Sequence, residues 1–433
     1  MTLAASLRII NDLLFKRGIR DSYWATRSLM QHLVTCFRPS RRHFAKEVVR
    51  GQAIYLFGSL RPIAREVQER ARAAAAWLAR AQDINGDGGF SQGYFPCDAE
   101  GGWRRSYPET TGYIIPTLLD YATRFEDPDA RDRALRAAHW EISIQMPSGA
   151  VQGGLVLPKE LQSPVAFNTG MVLHGWSAAY RATGDSVFLG AARKAADFLL
   201  QDLDSEGYFR THGPFVATHA LKTYDCLCAW PVYRFGEDVE ERRYQLAALK
   251  AVDAAIRQQR SNGWFANNCL DRPEAPLTHT IGYALQGILE VGILSRNDKF
   301  IESVRRGVNP LLSGLSSNGF LHGRSYSDWI PAAFSSCLTG SAQTAVVCYR
   351  LYEHSGDARY WRAAQQILNF LKPLQSLNSK DCSINGALAG SFPILGSYMR
   401  AGYPNWATKY YLDGLLMQDR LGHALAAIGE SND

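Results

Sequence analysis

The chain reads as an all-α protein: an (α/α)6 toroid of six helical hairpins with an N-terminal basic helical arm. Three observations lead there. Thr-Gly pairs recur at Thr111-Gly112, Thr169-Gly170 and Thr339-Gly340, with Thr280 and Gly282 as a variant; the glycines are spaced 58, 112 and 58 residues apart, and 112 is twice 56. A second marker keeps the same beat at Gly207-Tyr208-Phe209, Gly263-Trp264-Phe265 and Gly319-Phe320-Leu321. Such a period marks one supersecondary unit used repeatedly. Between the markers, amphipathic patterns alternate with stretches that are apolar nearly all round, as surface and buried helices do.

The amphipathic, outer helices are expected near 61–80, 129–145, 187–203, 241–259, 297–313 and 358–375. In the third, Phe188, Ala191, Ala192, Ala195, Phe198 and Leu199 follow the helical period. The inner helices are expected near 109–124, 168–183, 217–234, 279–294, 337–353 and 405–418. Pro108 opens the first, where a missing N–H costs nothing. Thr111, Thr169, Thr280 and Thr339 should occupy equivalent positions. Short strands are expected in 146–166 and 320–332, and Pro404 interrupts the expected start of the sixth inner helix. The chain thus divides into a basic arm (1–60), the toroid (61–420) and a C-terminal tail (421–433).

Composition narrows the function. No apolar run reaches the length of a membrane span. Met1 to Lys16 lacks a secretory leader pattern, and the eight cysteines are scattered. The expectation is a cytoplasmic protein with reduced thiols. The net charge is +6, but residues 1–61 hold eleven Lys/Arg against three Asp/Glu. The arm is therefore +8, and the body sums to −2. Two readings of the arm stay open: packing across the toroid, or peripheral contact of residues 1–60 with an anionic membrane. The body has no basic patch with interleaved aromatics, so nucleic acid is not an expected partner.

In such a ring the loops from outer to inner helix share one end. Here they are the long ones, whereas the return loops are short, as at Phe125-Glu126-Asp127. The site is expected at the long-loop end. Aromatics beside amides, His and Arg there suit a sugar ring, whose C–H face stacks and whose hydroxyls take hydrogen bonds. The candidate binding residues are Arg104, Asn168, His212, Trp264, Asn268, His279, His322, Arg324, Asn405 and Trp406. Carboxylates are few. Glu109 opens the first inner helix, either as a dipole partner or aimed into the mouth. Asp225 lies in a nearly apolar inner helix, where a charge needs a partner or a task. Glycoside hydrolysis uses such a pair, with Glu109 as acid and Asp225 ionised. The alternative is proton abstraction beside a uronate carboxylate, with Tyr224 or His219 as base. No metal or other cofactor is expected: no His/Cys spacing is strong, and the Asp83–Gly89 loop lacks the acidic twelfth residue of a calcium loop.

Two resemblances follow. Trp77 to Gln82 with Gly86-Asp87-Gly88-Gly89-Phe90 resembles one repeat of squalene cyclases and prenyltransferases, although the acidic Asp-x-Asp-Asp cluster of that family is absent. Asn168-Thr169-Gly170, Tyr180-Arg181-Ala182-Thr183-Gly184-Asp185 and Ala196 to Leu200 are similar to a hairpin of the six-hairpin glycosidase-like superfamily. Ser383 to Ala387, Gly390 to Pro393 and Tyr403 to Tyr410 resemble proteins of bacterial polysaccharide clusters and, more distantly, glucuronyl C5-epimerases. The second resemblance implies a saccharide-processing toroid, foremost a glycoside hydrolase, with a saccharide as partner. A uronate lyase or C5-epimerase, a terpenoid cyclase or prenyltransferase, and a non-catalytic glycan-binding protein are the alternatives.

Overall fold

The computed structural model describes residues 8, 30–32, 34–35, 42–57, 66–98, 101–213 and 220–430. In the arm, the described residues include the whole of one helix, α1 (Arg42–Phe57). The outer helices are α2 (Val67–Asp83), α4 (Pro128–Ile144), α6 (Ser186–Asp202), α8 (Arg242–Arg257), α10 (Asp298–Ser313) and α12 (Ala358–Leu371). The inner helices are α3 (Pro108–Phe125), α5 (Ala166–Thr183), α7 (Ala229–Asp238), α9 (Thr278–Leu294), α11 (Leu338–Ser355) and α13 (Asn405–Glu430). A 3-10 turn, Thr223–Cys228, precedes α7. Consecutive inner segments pack on one another, and α13 packs on both α11 and α3, so the ring closes. Among the described residues, no helix is long and apolar enough to cross a membrane.

The repeat has a physical basis in the turns. Gly88, Gly149, Gly207, Gly263, Gly319 and Gly386 all have φ between 86° and 101°, a range that costs a side chain dearly. Five of them press on the next outer helix so closely that a Cβ would collide with its backbone or side chains, and Gly88 lies just over Trp140. Gly386, the last, presses on Ala73 of α2 and closes the ring from outside. Four glutamines repeat the same staple. Gln82, Gln145, Gln259 and Gln375 each donate to their own turn glycine's carbonyl, at 2.9, 3.0, 3.2 and 3.1 Å. Each also donates to a carbonyl of the next outer helix at 2.9 to 3.0 Å.

The inner markers serve the loops. The hydroxyls of Thr111 and Thr169 accept from the loop N–H groups of Phe90 and Val151, both at 2.9 Å. Thr408 does the same for Leu388 at 3.0 Å. Thr280 instead donates to the Asn268 carbonyl at 2.7 Å, and the Thr339 hydroxyl is unpaired. The four threonines are therefore not equivalent: two are fourth in their helices, Thr280 is third and Thr339 second.

Other differences are local. The third inner segment begins with its 3-10 turn rather than a full helix. The strands are β1 (Gly93–Phe95), β2 (Gly102–Trp103), β3 (Ser336–Cys337), β4 (Ser391–Phe392) and β5 (Tyr403–Pro404). They form antiparallel pairs β1–β2, β1–β5 and β3–β4, and the 146–166 and 320–332 stretches hold isolated bridges instead. Pro404 does not break a helix: it ends β5, and α13 starts at the next residue and runs to Glu430, past the expected boundary at 420.

Candidate active site

All six inner segments begin at the long-loop end, so their first turns converge on the axis. Glu109 (α3), Phe167 (α5), Tyr224, His279 (α9) and Trp406 (α13) come from five of these first turns. One turn deeper lie Tyr113, Tyr283, Gln343 and Tyr410. The spacing Glu109/Tyr113, His279/Tyr283 and Trp406/Tyr410 is four residues each time, which places each pair on one helix face. Ring contacts join the layers. Tyr283 lies 4.2 Å from His279, 5.0 Å from Phe167, 6.2 Å from Tyr224 and 6.3 Å from Tyr410 between centroids. Tyr113 lies 5.7 Å from Tyr410. Trp406 meets Tyr107 at 6.3 Å and donates its indole N–H to the Tyr398 hydroxyl at 2.8 Å.

Glu109 sits within this cage, partly accessible to solvent. Burial raises its pKa to about 7; Lys222 works against that rise and the charge of Asp225 adds to it. A carboxyl balanced near neutrality can both give and take a proton. Burial holds the hydroxyls of Tyr113, Tyr224, Tyr283 and Tyr410 far above their usual range, and the charge of Glu109 adds to this in each. These phenols are held in the protonated, donor form. His279 pairs Nδ1 with the Gln343 carbonyl oxygen at 2.6 Å. With the proton on Nδ1, Nε2 is left as acceptor. Burial lowers its pKa to about 4, so it is neutral.

Asp225 is not where the two-carboxylate scheme needs it. Tyr224 faces the axis, and the next residue of a 3-10 turn points about 120° away. Asp225 accordingly borders a small void with Tyr208, Phe209, Ala251 and Ala255, between the third loop and α8. Its oxygens are inaccessible and make no hydrogen bond; His212 Nδ1 is 3.4 Å away. Burial raises its pKa to about 7 as well, so it is ionised only in part at neutral pH.

Several expected binding residues are otherwise employed. His212 is buried behind Tyr224, with Nε2 on the Ala220 carbonyl at 3.0 Å. Arg324 donates from Nη2 to both Asp271 oxygens at 2.9 and 2.8 Å and from Nη1 to the Ala275 carbonyl at 2.8 Å. Arg104 pairs with Asp98 and Gln92 and stacks over Phe95 at 4.2 Å. Asn405 donates to the Ser91 carbonyl and the Thr110 hydroxyl, both at 2.7 Å, tying the sixth unit to the first. Trp264 packs beneath Arg260 in its own turn. His322 bonds the Ala333 carbonyl at 2.8 Å and packs on Phe320. Asn168 donates to the Gln152 carbonyl at 3.2 Å. Asn268 is buried with both amide atoms unpaired. His219 lies outside the described residues. Among the described residues, no cluster of three or more His, Cys, Asp or Glu could hold a metal ion.

No protein-family model matches the chain, and no curated protein matches it in sequence. Solved structures do match in shape. An unsaturated glucuronyl hydrolase specific for heparin superposes with a TM-score of 0.66 at 16% identity, covering 82% of this chain and 98% of its own. The unsaturated glucuronyl hydrolase of Bacillus sp. GL1 gives 0.66 at 16%, covering 82% and 97%. A D-mannose isomerase gives 0.64 at 12%, covering 83% and 98%. What the chain shares with all three is the fold, a closed (α/α)6 toroid of helical hairpins.

Proposed function

We propose that this protein is a carbohydrate-active enzyme that hydrolyses a glycosidic bond of an oligo- or polysaccharide, with Glu109 as proton donor. The observation that carries this is Glu109, a carboxyl poised at about 7 and without a second one beside it among the described residues, inside a cage of tyrosines, Trp406 and neutral His279. Ordinary hydrolysis needs two carboxyls at the bond, but Asp225 stands behind Tyr224. One substrate class needs only one: a saccharide ending in an unsaturated uronyl sugar, the kind named in the hydrolases of this shape. Glu109 gives its proton to the ring carbon of the double bond remote from the ring oxygen. The resulting cation is shared with that oxygen. Water adds to it and returns a proton to the carboxylate. The hemiketal opens to a ketone and a hemiacetal, which expels the remaining saccharide. Asp225 then acts on Glu109 through charge.

A second reading rests on His279, whose free Nε2 could abstract a proton beside a uronate carboxylate, as a lyase or epimerase requires. The terpenoid reading fits less well, because the Glu109 carboxyl, with the charge of Lys222 near it, makes the region polar. The test is a panel of unsaturated uronyl disaccharides beside their saturated counterparts, followed by absorbance and mass. Loss of the enol-ether absorbance with gain of one water supports the proposal, and Glu109→Gln should slow it by about 10² to 10⁴. New unsaturation would mean lysis, turnover without mass change epimerisation, and binding without turnover a glycan-binding protein; each would overturn it.

A further inference from the structure

Several cations at the long-loop end are already held by an acid. Arg104 pairs with Asp98, Arg210 with Asp204, Arg272 with Glu274 and Arg324 with Asp271. Lys222 is different. Its backbone is fixed: its carbonyl accepts from the Asp225 N–H at 3.1 Å, and the next N–H, of Thr223, donates to the Asn267 carbonyl at 3.0 Å. Its ammonium lies 5.6 Å from the Tyr224 ring centroid. Tyr224 in turn stands 5.4 Å from Phe167 and 6.2 Å from Tyr283, in the cage around Glu109. The Lys222 side chain is half-buried. Among the described residues, its ammonium has no hydrogen bond or ion pair.

Two acids are near, but neither neutralises it fully. Glu109 and Asp225 both feel the charge of Lys222, and burial holds both partly protonated at neutral pH. The phenols of Tyr107, Tyr113, Tyr224, Tyr283, Tyr398 and Tyr410 stay protonated and His279 stays neutral. Lys222 and Asp225 are therefore the charged groups that act on Glu109. When Glu109 carries the proton that hydrolysis needs, positive charge is in excess beside it. Such an ammonium suits an anionic group on the ligand.

We propose that the Lys222 ammonium receives the carboxylate of the uronyl ring at the reacting end of the substrate, and that this pairing locks the proton on Glu109. This rests on the hydrolysis reading and deepens it. A carboxylate on Lys222 offsets the charge that draws the proton away from Glu109. It also brings a negative charge close by. Both effects keep the acid protonated to higher pH in the complex than in the free protein. The charged sugar thus arms its own proton donor, and a neutral sugar of the same shape does not.

The test compares a disaccharide ending in an unsaturated glucuronyl ring with its methyl ester, in wild type, Lys222→Gln and Lys222→Arg. On the acid, Lys222→Gln should lower kcat/KM by about 10- to 100-fold, the worth of one hydrogen bond between charged groups. On the ester the loss should stay below about threefold, because no charge is paired there, and that activity shows the variant to be folded. Lys222→Arg should recover most of the loss. For wild type on the acid, the alkaline limb of kcat should lie about one pH unit above that of kcat/KM, since the first reports the complex and the second the free protein. On the ester the two limbs should coincide. Equal losses on acid and ester, or coincident limbs on the acid, would overturn the proposal and leave hydrolysis standing. If wild type turns over neither sugar, the hydrolysis reading falls instead, and calorimetry with sodium glucuronate decides for Lys222. Binding about tenfold weaker in Lys222→Gln than in wild type supports the anion site, and equal or absent binding refutes it.

Discussion

Replacing Glu109 with glutamine should damage turnover and yet stabilise the protein, at one end of the pH scale only. The folded-state pKa is raised from 4.5 to about 7, chiefly by burial. A raised pKa means that the native state holds the proton more tightly than the unfolded chain. Its stability contribution is full below about 4.5 and is lost as pH rises through about 7. The difference corresponds to about 3 kcal/mol, trimmed by whatever solvent reaches the carboxyl through the mouth. The amide of Glu109→Gln would mimic the protonated form at every pH. The variant should match the wild type at pH 4 and exceed it by up to about 3 kcal/mol at pH 8. For a chain of this length that is a rise of about 3 °C in melting temperature. Urea unfolding at pH 4, 6 and 8 measures it directly. A gain equal at all three values, or none at pH 8, would show that Glu109 is an ordinary solvated carboxylate and would remove the basis for its role as acid.

Three further outcomes follow from particular residues. Asp225→Asn removes a charge that raises the Glu109 pKa, so the alkaline limb of the activity profile should move to lower pH by less than about one unit, while the maximal rate falls less than about tenfold; a loss of several orders of magnitude would put Asp225 back at the reacting atoms. Gly263→Ala should cost more than about 2 kcal/mol, because its Cβ would strike the Arg306 backbone at φ 86°, whereas Gly190→Ala, with open space in α6, should stabilise by about 0.5–1 kcal/mol in thermal melts. Gln259→Leu strips the Gly263 and Ser303 carbonyls of their donor and should cost about 2 kcal/mol by denaturant titration; an unchanged midpoint would deny the staple its structural weight.

The helices were legible because their signal is local. Apolar spacing and turn glycines placed the outer helices within a few residues of where they lie, apart from the first, whose expected start falls partly on residues 61–65, outside the described set. The exception among the inner helices is instructive. Pro231 sits in the first turn of α7, and the segment before it is a 3-10 turn, so its residues face different ways from those of a regular helix. That is why Tyr224 meets the axis and Asp225 does not. The polar binding candidates misled for another reason. Arg324 finds Asp271 across 53 residues and Asn405 finds Ser91 across 314, and no local pattern announces such pairing. A useful signal was overlooked, however: the four-residue spacing from Glu109, His279 and Trp406 to a tyrosine each time.

The same repeat explains where the axis became chemical. Glycines at 112, 170, 282 and 340 let neighbouring inner helices approach; a Cβ at Gly112 would strike the Val172 backbone, and one at Gly340 that of Thr278 and His279. The sixth unit departs from this rule. After Thr408, which still holds its loop, comes Lys409 in place of glycine. Its ammonium is buried, 2.7 Å from Asp413 and 4.0 Å from the Tyr410 ring centroid, and Asp413 in turn accepts from Thr117 at 2.7 Å. The last helix is thus joined to the first by charge and hydrogen bonds where its neighbours use close backbone packing. A glycine seam can carry polar groups, as the His279–Gln343 pair between the fourth and fifth units does. The seam between the sixth and first units instead carries a buried ion pair, beside Tyr113 and Tyr410. The proposed proton donor, Glu109, therefore stands on a seam where a charged side chain replaces the repeat's glycine, which is where a ring of similar hairpins has room to differ.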